Sequence, residues 1–329
     1  MLSNLPQVAV VIPCYRETDH ILELLLRIGN EVSSIYLIDD CCPDGTGSLV
    51  EKNCKDSRVK VLCHRTNQGV GAAVITGYMA ALQDDADIIV KLDGDGQMNP
   101  RLISCFIAPI LRGEADYTKG NRFYNLASLQ GMPLRRLVGN AVLTFWTKIS
   151  SGYWDLFDPT NGYTAIHSAL LKSLQMDKIS TGYFFESDML FRLNILRARV
   201  VDIPMRAVYA DEQSSLRISK IIIPFLIGHA RNIVKRIFYN YFLRDFSIAS
   251  VELILGIILF LFGGLFGSFE WYWHARNNRF ASTGTVMLAV LPMIIGMQFL
   301  LSFLNYDIAN IPDRAIHTTL ARDISLETP

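Results

Sequence analysis

The chain has 329 residues, enough for one large domain or two ordinary ones. Its 31 basic and 31 acidic residues cancel to a formal net charge of +0, which argues against a nucleic-acid partner. The six cysteines lie in the first third of the chain without zinc-like spacing, which predicts reduced thiols in a cytosolic compartment. Half of all residues are hydrophobic, and the excess is concentrated late in the chain.

Residues 7 to about 203 alternate short apolar runs with helical stretches. We predict strands at 8–12, 35–38, 59–63 and 88–92, with Pro13 ending the first. The helices between them are predicted at 18–28, 45–54, 70–82 and 100–111. Because strands that alternate with helices form βαβ units, we expect an α/β domain with a mostly parallel sheet. Ligands bind such sheets beyond the carboxyl ends of the strands.

The composition changes after about residue 218. Residues 218–246 interleave aromatic side chains with five basic residues and one acid, which predicts amphipathic helices at a membrane surface, with an ordinary packed helix pair as the alternative. Residues 246–267 carry one charge, Glu252, and 280–306 carry none, so each can span a hydrocarbon core of about 30 Å. Glu252 is expected to face protein or lie near an interface.

These patterns predict an α/β domain at 1–218, juxtamembrane interfacial helices at 219–245, a transmembrane hairpin of two helices at 246–306 and a tail at 307–329. The first residues show no leader typical of secretion, and basic residues precede the first span. Because positively charged flanks stay in the cytosol, we expect the α/β domain and the tail on the cytosolic side of the membrane.

Asp93-Gly94-Asp95-Gly96-Gln97 directly follows the fourth predicted strand. Mg²⁺ and Mn²⁺ prefer oxygen ligands and usually take one or two carboxylates, with phosphate oxygens in other positions. Two carboxylates one residue apart therefore suit a cation that is held against a diphosphate. On spacing alone, a polar turn after a strand is the alternative.

Four other segments accompany this turn in a fixed order. They are VIPCYRE at 11–17, IDDCCPDGT at 38–46, NQGVGAA at 67–73 and DPTNGY at 158–163. Together the five motifs resemble family 2 glycosyltransferases of the GT-A fold. More narrowly, they resemble the dolichol-phosphate mannose synthase branch, which glycosylates polyisoprenyl phosphates. The resemblance covers about residues 7–220, and Arg16 and the Cys41-Cys42 pair depart from the usual pattern.

The resemblance implies an inverting, metal-dependent transfer of a hexose from a nucleoside-diphosphate sugar to a polyisoprenyl phosphate such as undecaprenyl or dolichyl phosphate. We expect a UDP-linked donor in preference to a GDP-linked one, with Mg²⁺ or Mn²⁺ as the cofactor. The enzyme would be integral to the bacterial inner membrane, or to the endoplasmic reticulum in a eukaryote. The oligomeric state stays open, and a homo-oligomer is one of the options.

The resemblance also implies site residues. Asp95 would be the direct metal ligand, with Asp93 and Gln97 close to the metal or the donor phosphates. The expected donor-binding residues are Pro13, Tyr15, Glu17, Asp40, Asn67, Gly69, Gly71, Asp93 and Gln97. The expected acceptor-phosphate residues are Arg122, Arg206, Arg217 and Lys220. The catalytic residues would be Asp158, Asp95 and Asp93.

Several of these roles have alternatives. Asp158 is either a base or a residue that orients the acceptor, and it could also simply cap a turn. A phosphate monoester has a second pKa near 6, so it hardly needs a base at neutral pH. Asp39 is either a donor ligand or a turn residue. Glu186 and Asp188 either reach the acceptor or are ordinary acids of a first helical turn, and Arg122 could be a plain surface residue.

Two rival functions follow from the same sequence. A transferase that extends a lipid-linked saccharide or a polysaccharide would need a true base, because its acceptor is a hydroxyl group. Polymerising relatives usually carry a QxxRW motif, which 213–217 lacks. A non-catalytic membrane scaffold on this fold is the second rival, and the intact pair of Asp93 and Asp95 argues against it.

Overall fold

A computed structural model of the chain describes residues 6–124, 134–206 and 218–320. Within them a seven-stranded sheet has the order β3-β2-β1-β4-β6-β5-β7. The strands are β1 (Val8–Cys14), β2 (Ser34–Asp39), β3 (Val59–Cys63), β4 (Ile88–Lys91), β5 (Tyr117–Asn121), β6 (Thr164–His167) and β7 (Val200–Pro204).

The sheet is mostly parallel, as predicted. Strands β1 to β4 pair in parallel, as do β5 and β7, whereas β6 is antiparallel to both of its neighbours. The last residues of β1, β2, β4 and β5 therefore reach the same edge of the sheet as the first residue of β6. This edge, called the carboxyl edge below, is formed by Cys14, Asp39, Lys91, Asn121 and Thr164.

The helices of the described residues lie between and after these strands. They are α1 (Ile21–Leu26), α2 (Thr46–Asn53), α3 (Val70–Gln83), α4 (Ile103–Leu111), α5 (Leu134–Ser151), α6 (Ser168–Lys172), α7 (Phe185–Ile195), α8 (Ile218–Phe238), α9 (Ile248–Arg276) and α10 (Thr283–Ala309). Short 3₁₀ turns lie at Pro100–Leu102 and Met176–Lys178, and a π-helical turn lies at Tyr239–Arg244.

The prediction that Pro13 ends the first strand is wrong, because β1 continues through Pro13 to Cys14. The pairing with β4 stops at Val11, so beyond that residue β1 has only β2 as a neighbour. Proline lacks a backbone N–H and is tolerated where a strand has an open side. The strand can therefore carry Cys14 as far as the carboxyl edge.

The core packs apolar side chains of the central strands against α1 and α4. Val10 and Ile12 of β1 lie in one cluster with Leu24 and Phe106, and all four are at most 1% exposed. The Phe106 ring stacks on Tyr163 with 3.8 Å between ring centroids. Each such buried side chain contributes about 1.5–3 kcal/mol. This packing fixes the strands whose ends carry the predicted site.

The chain divides into two compact units. One, the α/β unit, comprises Met1–Ile233 and Pro312–Pro329, and the other, the hairpin unit, comprises Val234–Ile311. The α/β unit thus takes in most of α8 and the C-terminal residues, whereas the sequence predicted a boundary at 218 and a separate tail from 307. The predicted functional boundaries stay predictions.

The hairpin unit contains two helices that are long and apolar enough to cross a membrane, α9 and α10. Helix α9 is longer than the predicted span at 246–267 because it includes Trp271-Tyr272-Trp273, whereas α10 has the predicted length and is shifted by three residues from 280–306. Helix α9 continues because its first stop signal is Asn277, followed by Asn278 with φ +48°. Glu252 accepts a hydrogen bond of 2.9 Å from Ser302, so it faces the partner helix as expected.

Glycines let the two apolar helices approach each other closely. A Cβ on Gly263 would lie 2.5 Å from the Ala289 carbonyl oxygen, and a Cβ on Gly296 would lie 2.5 Å from the Phe260 nitrogen. Lipid tails are as apolar as leucine, so close backbone packing of this kind is a main source of attraction between membrane helices. The hairpin is therefore held by its own helix contacts.

Residues 312–320, which follow the hairpin, pack within the α/β unit around Asp116. This fully buried carboxylate accepts hydrogen bonds from the backbone N–H groups of Arg199, Ile316 and His317, and from the His317 ring at 2.8 Å. The His317 ring stacks on His167 with 4.3 Å between centroids. Asp116 precedes β5, so this contact lies at the edge of the sheet opposite the carboxyl edge.

Acidification should destabilise the α/β unit. Burial lowers the pKa of both His167 and His229 from 6.5 to about 4, and for His167 the neighbouring His317 adds to the effect. Between these pH values the unfolded chain binds more protons than the native state, so the free energy of unfolding falls as the pH falls from 6.5 towards 4. We expect a lower thermal midpoint at pH 5 than at pH 7 for the purified protein.

The matched variant is His167→Asn. Asparagine can still accept the N-cap hydrogen bond from Ala169, but it does not titrate. The loss of thermal midpoint between pH 7 and pH 5 should be smaller in this variant than in the wild type. Equal losses in the two proteins would contradict the assignment of acid sensitivity to His167.

Candidate active site

The Asp-Gly-Asp turn leaves β4 at the carboxyl edge, beside a buried lysine. The Lys91 side chain is 1% exposed, and its ammonium lies 2.8 Å from Asp93 Oδ1 and 3.1 Å from Glu186 Oε1. Burial acts to lower the pKa of Lys91, but the two carboxylates outweigh burial and raise that pKa, so the ammonium stays charged. Asp93 is therefore held by a cation of the protein itself.

Asp95 and Gln97 complete the turn. The Gln97 backbone N–H donates a 2.9 Å hydrogen bond to Asp95 Oδ1, which fixes the carboxylate relative to the chain. Asp93, Asp95 and Gln97 are all half-buried. In the described residues there is no group of three His, Cys, Asp or Glu side chains that could hold a metal. Asp93 and Asp95 therefore form a pair of carboxylates at this turn, and their predicted role as metal ligands stays a prediction.

Asp158 and Arg122 form a bidentate ion pair, called the clamp below. Arg122 Nε lies 2.7 Å from Asp158 Oδ2, and Arg122 Nη2 lies 3.0 Å from Asp158 Oδ1. The Arg122 backbone N–H also donates to Asp158 at 3.2 Å. Asp158 is fully buried, whereas 29% of the Arg122 side chain is exposed. Both oxygens of Asp158 thus fix the orientation of a guanidinium group.

The segment from Asp158 to Gly162 connects the clamp with the Asp-Gly-Asp turn. At one end Asp158 holds Arg122, and at the other a Cβ on Gly162 would lie 2.2 Å from Asp93 Oδ2 and 2.6 Å from Lys91 Nζ. Only glycine allows this approach. The two groups of predicted site residues are therefore brought together by one short segment.

A second buried lysine supports this segment from below. Lys119 donates to the Asn161 carbonyl oxygen, and Asn161 Nδ2 lies 3.3 Å from Asp158. Burial lowers the pKa of Lys119 to about 8. Lys91 and Lys119 both pair with Thr164, one on each side of β6. Two buried lysines thus flank Thr164 of β6 at the carboxyl edge.

Asp39 ends β2 and Asp40 follows it, and both carboxylates are engaged by the protein. Asp39 accepts hydrogen bonds of 2.6 Å from the backbone N–H groups of Cys42 and Gly47, as expected of a turn residue. Asp40 accepts from the His64 ring at 2.7 Å and from the Gly69 N–H at 2.8 Å. Both are at most 5% exposed. Asp40 therefore ties β2 to the start of α3, where the donor was expected.

Gly69 and Gly71 are explained by a contact within the protein. A Cβ on Gly69 would lie 2.7 Å from the Thr181 carbonyl oxygen, and a Cβ on Gly71 would lie 2.5 Å from that of Ser180. The resemblance implied that these glycines bind the donor, and that role stays a prediction. In the structure the segment before α7 lies close to both glycines, and the Ala72 N–H donates to Thr181 at 3.1 Å.

The remaining predicted residues are placed as follows. Pro13 ends up within β1, Tyr15 is 43% exposed, and the Glu17 N–H donates to Thr46 at 3.4 Å. Asn67 is exposed before α3, and Arg206 is exposed after β7. Arg217 lies outside the described residues, as does the side chain of Lys220 in α8. Asp188 is fully buried and binds Arg192 and Asn232, so it supports α7 and α8.

Sequence reasoning missed Lys91, Lys119 and Asp202. Each is a charged residue inside a strand, in the runs IIVK, YTKGN and VVDIP. A charge within a buried strand needs a partner, because an unpaired buried charge is costly. For Lys91 and Asp202 a charge within an apolar run was the available signal, but it does not identify the partner, and the polar strand of Lys119 gives no such signal.

The sequence model described as Glycosyl transferase family 2 matches residues 9–174, about half of the chain. The chain belongs to this family. The predicted family and enzyme class are therefore confirmed, and the scaffold alternative is set aside.

Curated relatives of this family 2 glycosyltransferase match about two thirds of its length. An undecaprenyl-phosphate mannosyltransferase of Micrococcus luteus is 31% identical over 206 residues, which are 61% of this chain and 84% of the relative. A UDP-N-acetylglucosamine–dolichyl-phosphate N-acetylglucosaminyltransferase of Methanococcus voltae is 29% identical over 232 residues, which are 66% of this chain and 92% of the relative.

Solved structures confirm the predicted GT-A fold. Mannosyl-3-phosphoglycerate synthase from Rubrobacter xylanophilus has a TM-score of 0.53 at 16% identity, over 74% of this chain and 77% of that one. Glucosyl-3-phosphoglycerate synthase from Mycobacterium tuberculosis, in complex with Mn²⁺, UDP-glucose and phosphoglyceric acid, has a TM-score of 0.51 at 18% identity, over 70% of this chain and 79% of that one.

Replacing Gly71 should disturb the site through the contact with Ser180. In Gly71→Ala the new methyl group meets a backbone oxygen that cannot rotate away, so we expect a loss of about 1–3 kcal/mol in the free energy of unfolding. The control is Gly182→Ala, because nothing lies within 4 Å of a Cβ at Gly182. Chemical denaturation measures both, and equal stabilities would refute the contact.

Proposed function

We propose that this glycosyltransferase transfers a hexose from a nucleoside-diphosphate sugar to a polyisoprenyl phosphate, with inversion at the anomeric carbon and with a divalent cation. The observation that carries the proposal is the segment Asp158–Gly162. At one end of this segment Gly162 lies against Asp93 of the Asp-Gly-Asp turn, whose carboxylates suit a divalent cation. At the other end Asp158 fixes the guanidinium group of Arg122. The names of the relatives from Micrococcus luteus and Methanococcus voltae, which act on lipid phosphates, support the same acceptor class.

The donor is assigned to the Asp-Gly-Asp turn. As the resemblance implies, Asp95 is proposed as the direct metal ligand, with Gln97 and the Lys91-paired Asp93 beside it. Two carboxylates and the diphosphate oxygens form an all-oxygen set that fits Mg²⁺ or Mn²⁺. When bound, the cation would supply Lewis-acid stabilisation of the departing nucleoside diphosphate. The Mn²⁺ and UDP-glucose complex of the Mycobacterium tuberculosis neighbour is compatible with this assignment.

The acceptor phosphate is assigned to Arg122. A guanidinium group is planar and always charged, and it binds phosphate best when its orientation is fixed. Asp158 supplies that orientation through two hydrogen bonds. Arg206, Arg217 and Lys220 are proposed as further cations for the acceptor. The acceptor oxygen is already anionic near neutral pH, so Asp158 acts by positioning and not by taking a proton.

The ion pair favours this reaction over saccharide extension. A hydroxyl acceptor needs a carboxylate that can accept its proton. Both oxygens of Asp158 already accept hydrogen bonds from Arg122, which suits a holding role. The anionic acceptor oxygen is therefore proposed to attack the anomeric carbon in line with the departing diphosphate.

The hairpin unit is proposed to span the membrane with the α/β unit on the cytosolic side. The chain passes from the α/β unit into the hairpin unit at Val234 and returns to the α/β unit at Pro312. Two membrane spans bring a chain back to the side from which it entered. Lys235 and Arg244 precede the first span and favour the cytosol for that side. A cytosolic site would meet nucleotide sugars and a lipid phosphate at the membrane surface.

Transfer is measured directly with purified protein, polyprenyl phosphate in detergent, Mn²⁺ and radiolabelled UDP-glucose, UDP-N-acetylglucosamine or GDP-mannose. We expect a chloroform-soluble, acid-labile glycolipid with one of these donors, and its loss after EDTA with recovery on adding Mn²⁺ or Mg²⁺. Asp95→Asn should lower the rate on the order of a hundred-fold or more, since it removes electrostatic stabilisation of the leaving group. Absence of glycolipid with every donor would refute the proposal.

The clamp makes a separate prediction. Arg122→Lys keeps the charge but loses bidentate pairing, so the KM for polyprenyl phosphate should rise about ten-fold or more while the KM for the donor changes little. Asp158→Asn should retain measurable transfer, because no proton has to be removed. Complete loss in Asp158→Asn, with the protein folded and donor binding intact, would instead support a base and a hydroxyl acceptor.

A further inference from the structure

Asp202 lies in β7, beside the clamp, and is neither a donor nor an acceptor ligand in the proposed reaction. Its Oδ2 accepts a hydrogen bond of 3.0 Å from Asn121 Nδ2 and another of 3.0 Å from the Phe157 backbone N–H. Asn121 directly precedes Arg122, and Phe157 directly precedes Asp158. One carboxylate oxygen thus joins the two chain segments that present the clamp.

The neighbouring contacts show that β7 is well placed for this task. Asp202 pairs in register with Lys119 of β5, and the Met205 N–H donates to the Asn121 carbonyl oxygen at 3.0 Å. Asn121 Oδ1 in turn accepts from the Phe123 N–H at 2.9 Å. Asn121 therefore ties Asp202 to the backbone on both sides of Arg122.

We propose that Asp202 is a positioning residue for acceptor binding: its anionic Oδ2 holds Asn121 and Phe157, and thereby sets the geometry of the Arg122–Asp158 clamp. The inference rests on the proposed function, because it assumes that the clamp receives the acceptor phosphate. Asp202 acts through its neighbours and needs no contact with substrate.

The surroundings of Asp202 indicate that its negative charge does not serve the stability of the fold. Its Oδ1 is buried and has no hydrogen-bond partner among the described residues. Burial raises the pKa of Asp202 to about 6, with Asp158 and Asp155 adding to the effect and Lys119 opposing it. Lys148 of α5 is a further charged group that faces it. Because the folded-state pKa is above the unfolded value, the charged form of Asp202 does not stabilise the fold at neutral pH.

Two variants test the inference. Asp202→Asn keeps an oxygen acceptor but has no charge, and Asp202→Ala removes the acceptor. We expect Asp202→Asn to be at least as stable as the wild type at pH 7, and yet to raise the KM for polyprenyl phosphate several-fold. Asp202→Ala should raise it about ten-fold or more, since charge-assisted hydrogen bonds are lost at both segments. The KM for the nucleotide sugar should change little in both.

The pH profile adds a second readout. In the wild type, lowering the pH from 7 to 5 protonates both Asp202 and the acceptor phosphate, whose second pKa is near 6. In Asp202→Asn position 202 no longer titrates, so the rise in acceptor KM over this range should be smaller than in the wild type. A variant profile as steep as that of the wild type would overturn the inference.

Asp116→Asn is the matched control. Asp116 is also a buried carboxylate that accepts backbone hydrogen bonds, but it lies at the opposite end of β5. The Asp116→Asn variant should have an unchanged KM for polyprenyl phosphate even if its thermal midpoint is lower. If the Asp202 variants change the acceptor KM no more than Asp116→Asn does, Asp202 is not a positioning residue. Failure of the wild type to make glycolipid would instead overturn the proposed function, and this inference with it.

Discussion

Crowding of carboxylates at one edge of the sheet is the constraint on which the candidate site depends. Four carboxylates lie at or near the ends of strands at this edge, those of Asp39, Asp40, Asp93 and Asp158. Like charges in a low-dielectric region repel one another. The structure gives each a donor from the chain, either backbone N–H groups or a cation. The site is therefore organised before any substrate arrives, which is a condition for effective electrostatic stabilisation.

The two buried lysines, Lys91 and Lys119, show that the pKa of a buried charge depends on the group it contacts. Lys91 and Lys119 flank Thr164 on neighbouring strands and are equally buried. Lys91 contacts two carboxylates and its pKa is raised, whereas Lys119 contacts a carbonyl oxygen and its pKa falls to about 8. Burial is common to both, so the difference comes from the charge of the group each one meets.

Local patterns made much of this architecture predictable. The third strand was predicted at its observed bounds, Val59–Cys63, because a short run with β-branched residues is bounded by polar turns. The Asp-Gly-Asp turn follows its strand as expected. The ends of α9 could not be predicted in the same way, since aromatic residues such as Trp271 suit an interface and a helix equally well.

Contacts between distant residues were beyond sequence reasoning. Lys91 meets Glu186 across 95 positions, and Arg122 meets Asp158 across 36. A pattern within a strand shows that a buried charge needs a partner, but only the fold selects which one. The same holds for Gly71, whose close neighbour, Ser180, follows a whole series of strands and helices.

The contact of His317 with Asp116 makes the hairpin a closed loop of the α/β unit. The two apolar helices are joined by a short connection at 277–282, and they also pack against each other through Gly263 and Gly296. A chain cut within that connection would still have its two pieces joined, both between the helices and around Asp116. The two fragments should therefore stay associated without the peptide bonds of the connection, so 277–282 is a suitable place for the new termini of a circular permutant.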